Sequence, residues 1–180
     1  MKKIALTCFA ALAVFAMTAC EVTSEETYDY AGFKAMLAEK EFKFEYKKAH
    51  AKLNEDGEKS ERDYTYDEVS KRFVASYEIV NKESGETIRE TDYTALDIVT
   101  QVNSLTAMAE YLKIKIDDGI KFYVTNGVYR IVADFTNEGQ KQEGEQKYNK
   151  EGYMIYTHSV VKDKDGKVVM EETAEYSYSK

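Results

Sequence analysis

Histidine, cysteine and clustered carboxylates are the side chains in this sequence best able to do chemistry, and their spacing limits what that chemistry could be. The two histidines, His50 and His158, each fall inside a segment that reads as a β-strand. A general base needs a nucleophile or carboxylate on its own face, and Ser159, next to His158, would point to the opposite face of a strand. The chain has no G-x-S-x-G, H-E-x-x-H, G-x-x-x-x-G-K or G-x-G-x-x-G motif. Asp163, Asp165, Gly166 and Glu172 fall at four positions of a calcium-binding loop, but Val161 stands where the first carboxylate ligand belongs. That stretch therefore reads as a hairpin tip. No catalytic residue, metal site or cofactor is expected, and the chain is read as non-enzymatic.

Cysteine chemistry is more informative. Lys2 and Lys3 precede an apolar run from Ile4 to Met17, which has the length of a signal-peptide core and is too short to span a bilayer. The run ends in Met17-Thr18-Ala19-Cys20, which resembles the lipobox of bacterial lipoproteins, with Met17 where leucine is usual. The resemblance implies cleavage after residue 19 and attachment of diacylglycerol, with acyl chains such as palmitate, to Cys20. Residues 1–19 then form a signal peptide, residues 20–27 a lipidated tether, and residues 28–180 a single domain. Cys8 is lost, Cys20 is blocked, and the mature chain keeps no thiol for a disulfide. Glu21 follows the lipidated cysteine where an inner-membrane retention signal carries aspartate, which favours the outer membrane or cell surface of the bacterial envelope.

Composition narrows the partners. The chain carries 33 acidic against 25 basic residues, a net charge of −8, and loss of Lys2 and Lys3 takes this to about −10. Nucleic acid is a poor partner for such a surface. Membrane attachment falls to the lipid on Cys20, whose several acyl chains hold far more strongly than one myristoyl group.

The elements that must position any site are mostly strands. Seven of the nine glycines, Gly57, Gly85, Gly119, Gly127, Gly139, Gly152 and Gly166, each preceded by Asp, Asn, Ser or Glu, fall at intervals suited to hairpin turns, and proline is absent. Strands are expected over residues 41–54, 58–67, 71–82, 86–93, 113–117, 120–125, 128–137, 140–149, 153–163 and 167–178. Two segments are helical in period. Residues 94–112 align Ile98, Val102, Leu105 and Met108 on one stripe, with Thr94 and Asp97 spaced as a capping box, and a shorter helix runs over 29–40.

The halves 28–93 and 94–180 also look alike. Tyr46, Asn54, Gly57 and Tyr66 align with Tyr129, Asn137, Gly139 and Tyr148, and a hairpin at 113–125 is extra. Internal duplication and convergence of hairpins on the same turn residues both account for this.

Phe42, Phe44 and Tyr46 share a strand face, after which the apolar set shifts to Ala49, Ala51 and Leu53 and implies a bulge near Lys47. Tyr64, Tyr66, Tyr93, Tyr148, Tyr153, Tyr176 and Tyr178 lie in otherwise polar strands. Such rows line a wet groove or contact face, or they cover a packed sheet.

The expected fold is α+β: a strongly curved antiparallel sheet of about ten strands, or an incomplete barrel, with the 94–112 helix on its concave face. Over residues 28–178 this arrangement is similar to the lipoprotein-carrier fold of LolA, LolB and the mycobacterial LppX group, in which a half-barrel closes over helices and holds acyl chains. The resemblance implies an apolar or amphiphilic ligand between sheet and helix, held by Phe42, Phe44, Tyr46, Val102, Leu105 and Met108. The alternative is a surface module that meets another protein or a glycan through an exposed tyrosine face.

Overall fold

The computed structural model describes residues 24–80 and 84–180; Cys20 and the 1–19 segment lie outside them. The strands are β1 (Glu26–Tyr28), β2 (Lys48–Glu55), β3 (Glu58–Asp67), β4 (Arg72–Val80), β5 (Thr87–Thr94), β6 (Ile120–Thr125), β7 (Val128–Asn137), β8 (Gln140–Tyr148), β9 (Met154–Lys162) and β10 (Val168–Ser179). The helices are α1 (Tyr30–Ala38), α2 (Ile98–Leu112) and the single turn α3 (Ile116–Gly119). The fold is thus mostly β.

All ten strands join one antiparallel sheet in the order β1-β6-β7-β8-β9-β10-β2-β3-β4-β5. The edge strands β1 and β5 do not pair with each other, so the sheet is open. Two meanders, β2 to β5 and β6 to β10, meet where β10 pairs with β2, and a helix precedes each. The turns follow the residue chemistry. At Asp56-Gly57, Asn126-Gly127 and Glu138-Gly139 both corner residues have positive φ, the geometry of a two-residue hairpin whose twist matches its strands.

Five expectations need correction. The strand expected over 41–54 pairs only from Lys48, and the chain before it is irregular. Its rings take over from the ladder: Phe42 stacks on Phe44, Phe44 and Tyr46 meet Tyr153 edge-on, and the Tyr46 N–H donates to the Tyr153 hydroxyl at 2.9 Å. The bulge expected near Lys47 gives way to ladder irregularities at Lys147/Tyr148 and Val168/Met170. The helix expected from residue 94 begins at Ile98, because Thr94 remains paired with Phe73 while Asp97 caps the helix by accepting the Thr100 N–H at 2.7 Å.

The strand and hairpin expected from residue 113 are replaced by α3. Lys113 takes the left-handed conformation that ends α2, and a β-carbon on Gly119 would sit 2.7 Å from the Phe135 Cβ, so only glycine admits this approach. The tether expected over 20–27 also shortens. Glu26–Tyr28 form β1 against β6, and Arg130 grips Glu25 through two hydrogen bonds of 2.8 and 2.9 Å.

Alternation assigns the core to one face of the sheet, where Ala49, Ala51, Leu53, Tyr64, Phe73, Ala75, Phe122, Ile131 and Ala174 are buried together. Phe33 and Leu37 of α1 and Ile98 and Val102 of α2 join them. A continuous series of ring contacts crosses this core. It runs from Tyr28 through Phe33 and Tyr129 to Phe42, Phe44 and Tyr153, then through Tyr178 and Phe73 to Tyr66.

Candidate functional site

Register creates a hollow in this face. Ala133 of β7 lies opposite Gly144 of β8, and Gly144 lies opposite Ser159 of β9, so three small residues stand side by side across three strands. Larger neighbours bound the row. Ile120 sits at its β6 end, and the flanking rows carry Ile131, Gln146 and Thr157 on one side and Phe135 and Gln142 on the other. Gln101, Ser104, Leu105 and Met108 of α2 complete the walls of a groove of about 230 Å³. Leu105 and Met108 are half-buried at the margin of the core.

A second groove, of about 250 Å³, lies at the other end of α2. Its walls are the rings of Phe44, Tyr46, Tyr66, Phe73 and Tyr153, with Asp97 and Lys71 at the polar side. Lys71 is paired with Glu68 at 3.3 Å, and the Asp97 carboxylate is engaged in capping α2. This groove is therefore a gap in the aromatic packing, with its charges already matched.

The six residues expected to hold a ligand do not converge on one site. Leu105 and Met108 line the small-residue groove, whereas Phe44 and Tyr46 line the aromatic one. Val102 is buried to 1% exposure and borders a cleft of about 150 Å³ shared with α1, while Phe42 packs against Tyr129 and Phe44. The polar lining of the small-residue groove was not foreseen. Its signal is nonetheless in "QKQEGEQKY", where Gln142, Gly144 and Gln146 alternate with Lys141, Glu143, Glu145 and Lys147.

The charged positions of β8 hold their partners on the opposite face. Glu143 is gripped by Lys141 at 2.6 Å and by Lys162, and these hydrogen bonds pull its carboxyl down to about 2. Glu145 pairs with Lys147 at 3.1 Å and with Arg130 at 3.4 Å. The histidines lie among such pairs. His50 Nδ1 is 2.8 Å from Asp63, and His158 Nε2 is 3.2 Å from Glu171. Among the described residues, no group of three His, Cys, Asp or Glu side chains could hold a metal ion. Asp163 spends its carboxylate on its own turn, accepting the backbone N–H groups of Asp165 and Lys167.

Of the seven tyrosines in polar strands, Tyr64, Tyr148 and Tyr153 are buried, Tyr66, Tyr176 and Tyr178 are half-buried, and Tyr93 is exposed. Buried hydroxyls find acceptors: Tyr64 donates to Asp92 and Tyr148 to Gln146, each at 2.8 Å, and Tyr178 donates to the Met154 carbonyl. Burial raises the hydroxyls of Tyr64, Tyr148 and Tyr178 well above their ordinary range and pushes Tyr176 up to about 12. Six of the seven tyrosines thus cover and fill the packed face of the sheet, while Tyr93, opposite Val74, lies on the other face.

No protein-family model, curated protein or solved structure matches the chain. Among the described residues, no helix is long and apolar enough to cross a membrane.

Proposed function

We propose that this is a non-enzymatic, lipid-anchored protein of the bacterial cell envelope that binds an apolar or amphiphilic ligand between its sheet and α2. In this reading the open sheet curves as an incomplete barrel, α2 lies on its concave side, and the two helix-plus-meander segments descend from one duplicated unit. Cys20 carries diacylglycerol and holds the domain at the outer membrane or cell surface. The observation that supports ligand binding is the hollow over Ala133, Gly144 and Ser159, roofed by Leu105 and Met108.

Register leaves space there at a position where α2 could have been packed against larger side chains. A groove of about 230 Å³ falls below the roughly 300–1,000 Å³ usual for drug-sized ligands, so it suits a single short chain or the end of a longer one. Two experiments test the reading. Native mass spectrometry of a soluble chain starting at Glu21, which retains every described element, should show a co-purifying small mass that organic extraction removes; a ligand-free mass before extraction contradicts ligand binding. Cys20→Ser in the full-length chain should abolish palmitate labelling and release the protein from membranes, and a labelled variant contradicts the anchor.

A further inference from the structure

The lining of the small-residue groove differs from the rest of the molecule in charge. Charged residues make up 32% of the sequence, yet the polar side chains that line this groove from the sheet and α2 are amides and hydroxyls, namely Gln101, Ser104, Gln142, Gln146, Thr157 and Ser159. The row meets a charge only at its β10 margin, where the exposed Glu172 lies opposite Ser159. Glu143, Glu145 and His158 also border it, but they occupy the alternate positions of β8 and β9, and their side chains bond across the other face. They meet the groove through backbone, as does the His158 carbonyl, which would lie 3.2 Å from a β-carbon at Gly144.

Several of these polar groups have capacity to spare. Among the described residues, the side chains of Gln142, Thr157 and Ser159 make no hydrogen bond. Gln146 accepts from Tyr148 through Oε1, leaving its amide N–H₂ available, and Gln101 donates to the Ala95 carbonyl, leaving its Oε1. The floor beneath them is Ile120, Ile131, Ala133 and Phe135. Apolar surface with unspent donors and acceptors matches an apolar chain that ends in a hydrogen-bonding group. An ionised head would lose hydration there: an anion gains no counter-ion, and a cation meets only Glu172, a solvated carboxylate beside Ser159 at the β10 margin, so either costs more than burying a satisfied hydroxyl.

We infer that this groove selects uncharged amphiphiles, with a hydroxyl, ester or amide head bonded by Gln142, Gln146 and Ser159 and a short apolar chain over Ala133 and Gly144. The inference rests on the ligand-binding reading above. Its test is calorimetric titration of the soluble chain, freed of lipid by organic extraction and refolded, with 1-decanoylglycerol, decanoate and decylammonium at pH 7.5, below their aggregation concentrations. The neutral probe is expected to bind at least about tenfold more tightly than either ion. Gln142→Glu should reverse the order in favour of decylammonium, and Ser104→Asp, at the solvent-exposed rim of the groove, should do so even if the strand variant folds poorly.

Equal affinity for all three probes, or preference for an ion by the unmodified chain, would overturn the selectivity while leaving amphiphile binding intact. Failure of all three to bind would overturn both.

Discussion

The two grooves beside α2 are nearly equal in volume but are built in opposite ways. At the N-terminal end of the helix, five rings line the gap and are tied together through Tyr178; Tyr153 alone meets Phe44, Tyr46 and Tyr178 with centroids 4.8–5.3 Å apart. At the other end the sheet offers Ala133, Gly144 and Ser159 where rings could have stood. Space among large rings is what remains when rigid shapes meet. Space above three small residues aligned by register is set by the sequence. On the proposed reading, the aromatic end serves stability and the small-residue end serves binding.

Truncating the aromatic series should have the largest effect. Phe73→Ala removes a buried ring of the aromatic groove that meets Tyr66 and Tyr178 edge-on, and it should cost about 3–5 kcal/mol, read as a fall in the urea midpoint. A loss below about 1 kcal/mol would break the structural assignment of that series. Asp97→Ala removes the α2 cap beside the aromatic groove and should cost about 1 kcal/mol.

Ala133→Leu sharpens the contrast from the other side. The new side chain points into vacant space, so it should escape the overpacking penalty of about 1–3 kcal/mol seen in filled cores while blocking probe binding. Unimpaired binding of 1-decanoylglycerol by a folded Ala133→Leu variant would move the ligand elsewhere.

Smallest is the effect of the charged face behind the hollow. Glu143 is held at about 2 against an ordinary 4.5, so its contribution is complete above about pH 4.5 and is lost as pH falls toward 2. Glu143→Gln should flatten the dependence of the urea midpoint on pH between 4.5 and 2 and leave a residual slope from the other carboxylates. An unchanged slope would mean that the lysine grip is not maintained in solution. Because the pair is solvated, little change is expected at neutral pH.

Strand positions were legible because turn chemistry and alternation are local: β3, β6 and β7 fall where the residues place them. The departures are tertiary. Phe42 to Tyr46 alternate like a strand, but the hydroxyl of Tyr153, more than a hundred residues away, takes the Tyr46 N–H. The expected strand at 113–117 failed because Gly119 serves close packing against Phe135 rather than a hairpin turn. Likewise Tyr64 and Tyr148 sit among polar neighbours in sequence, and only the sheet order shows that their face is covered.

The groove was half legible. Leu105 and Met108 followed from helical period, whereas the Ala133, Gly144 and Ser159 row required the pairing of three strands. Alternation of neutral and charged residues in β8 was the available local signal, and it reports face without reporting what lies opposite.

The central claim is that the small-residue hollow, and not the aromatic groove, is the ligand site. Backbone amide NMR of the soluble chain titrated with 1-decanoylglycerol tests it most directly. The account predicts saturable shifts centred on Leu105, Met108, Ala133, Gly144 and Ser159. Shifts confined to Phe44, Tyr66 and Tyr153, or none at saturating probe, would contradict it.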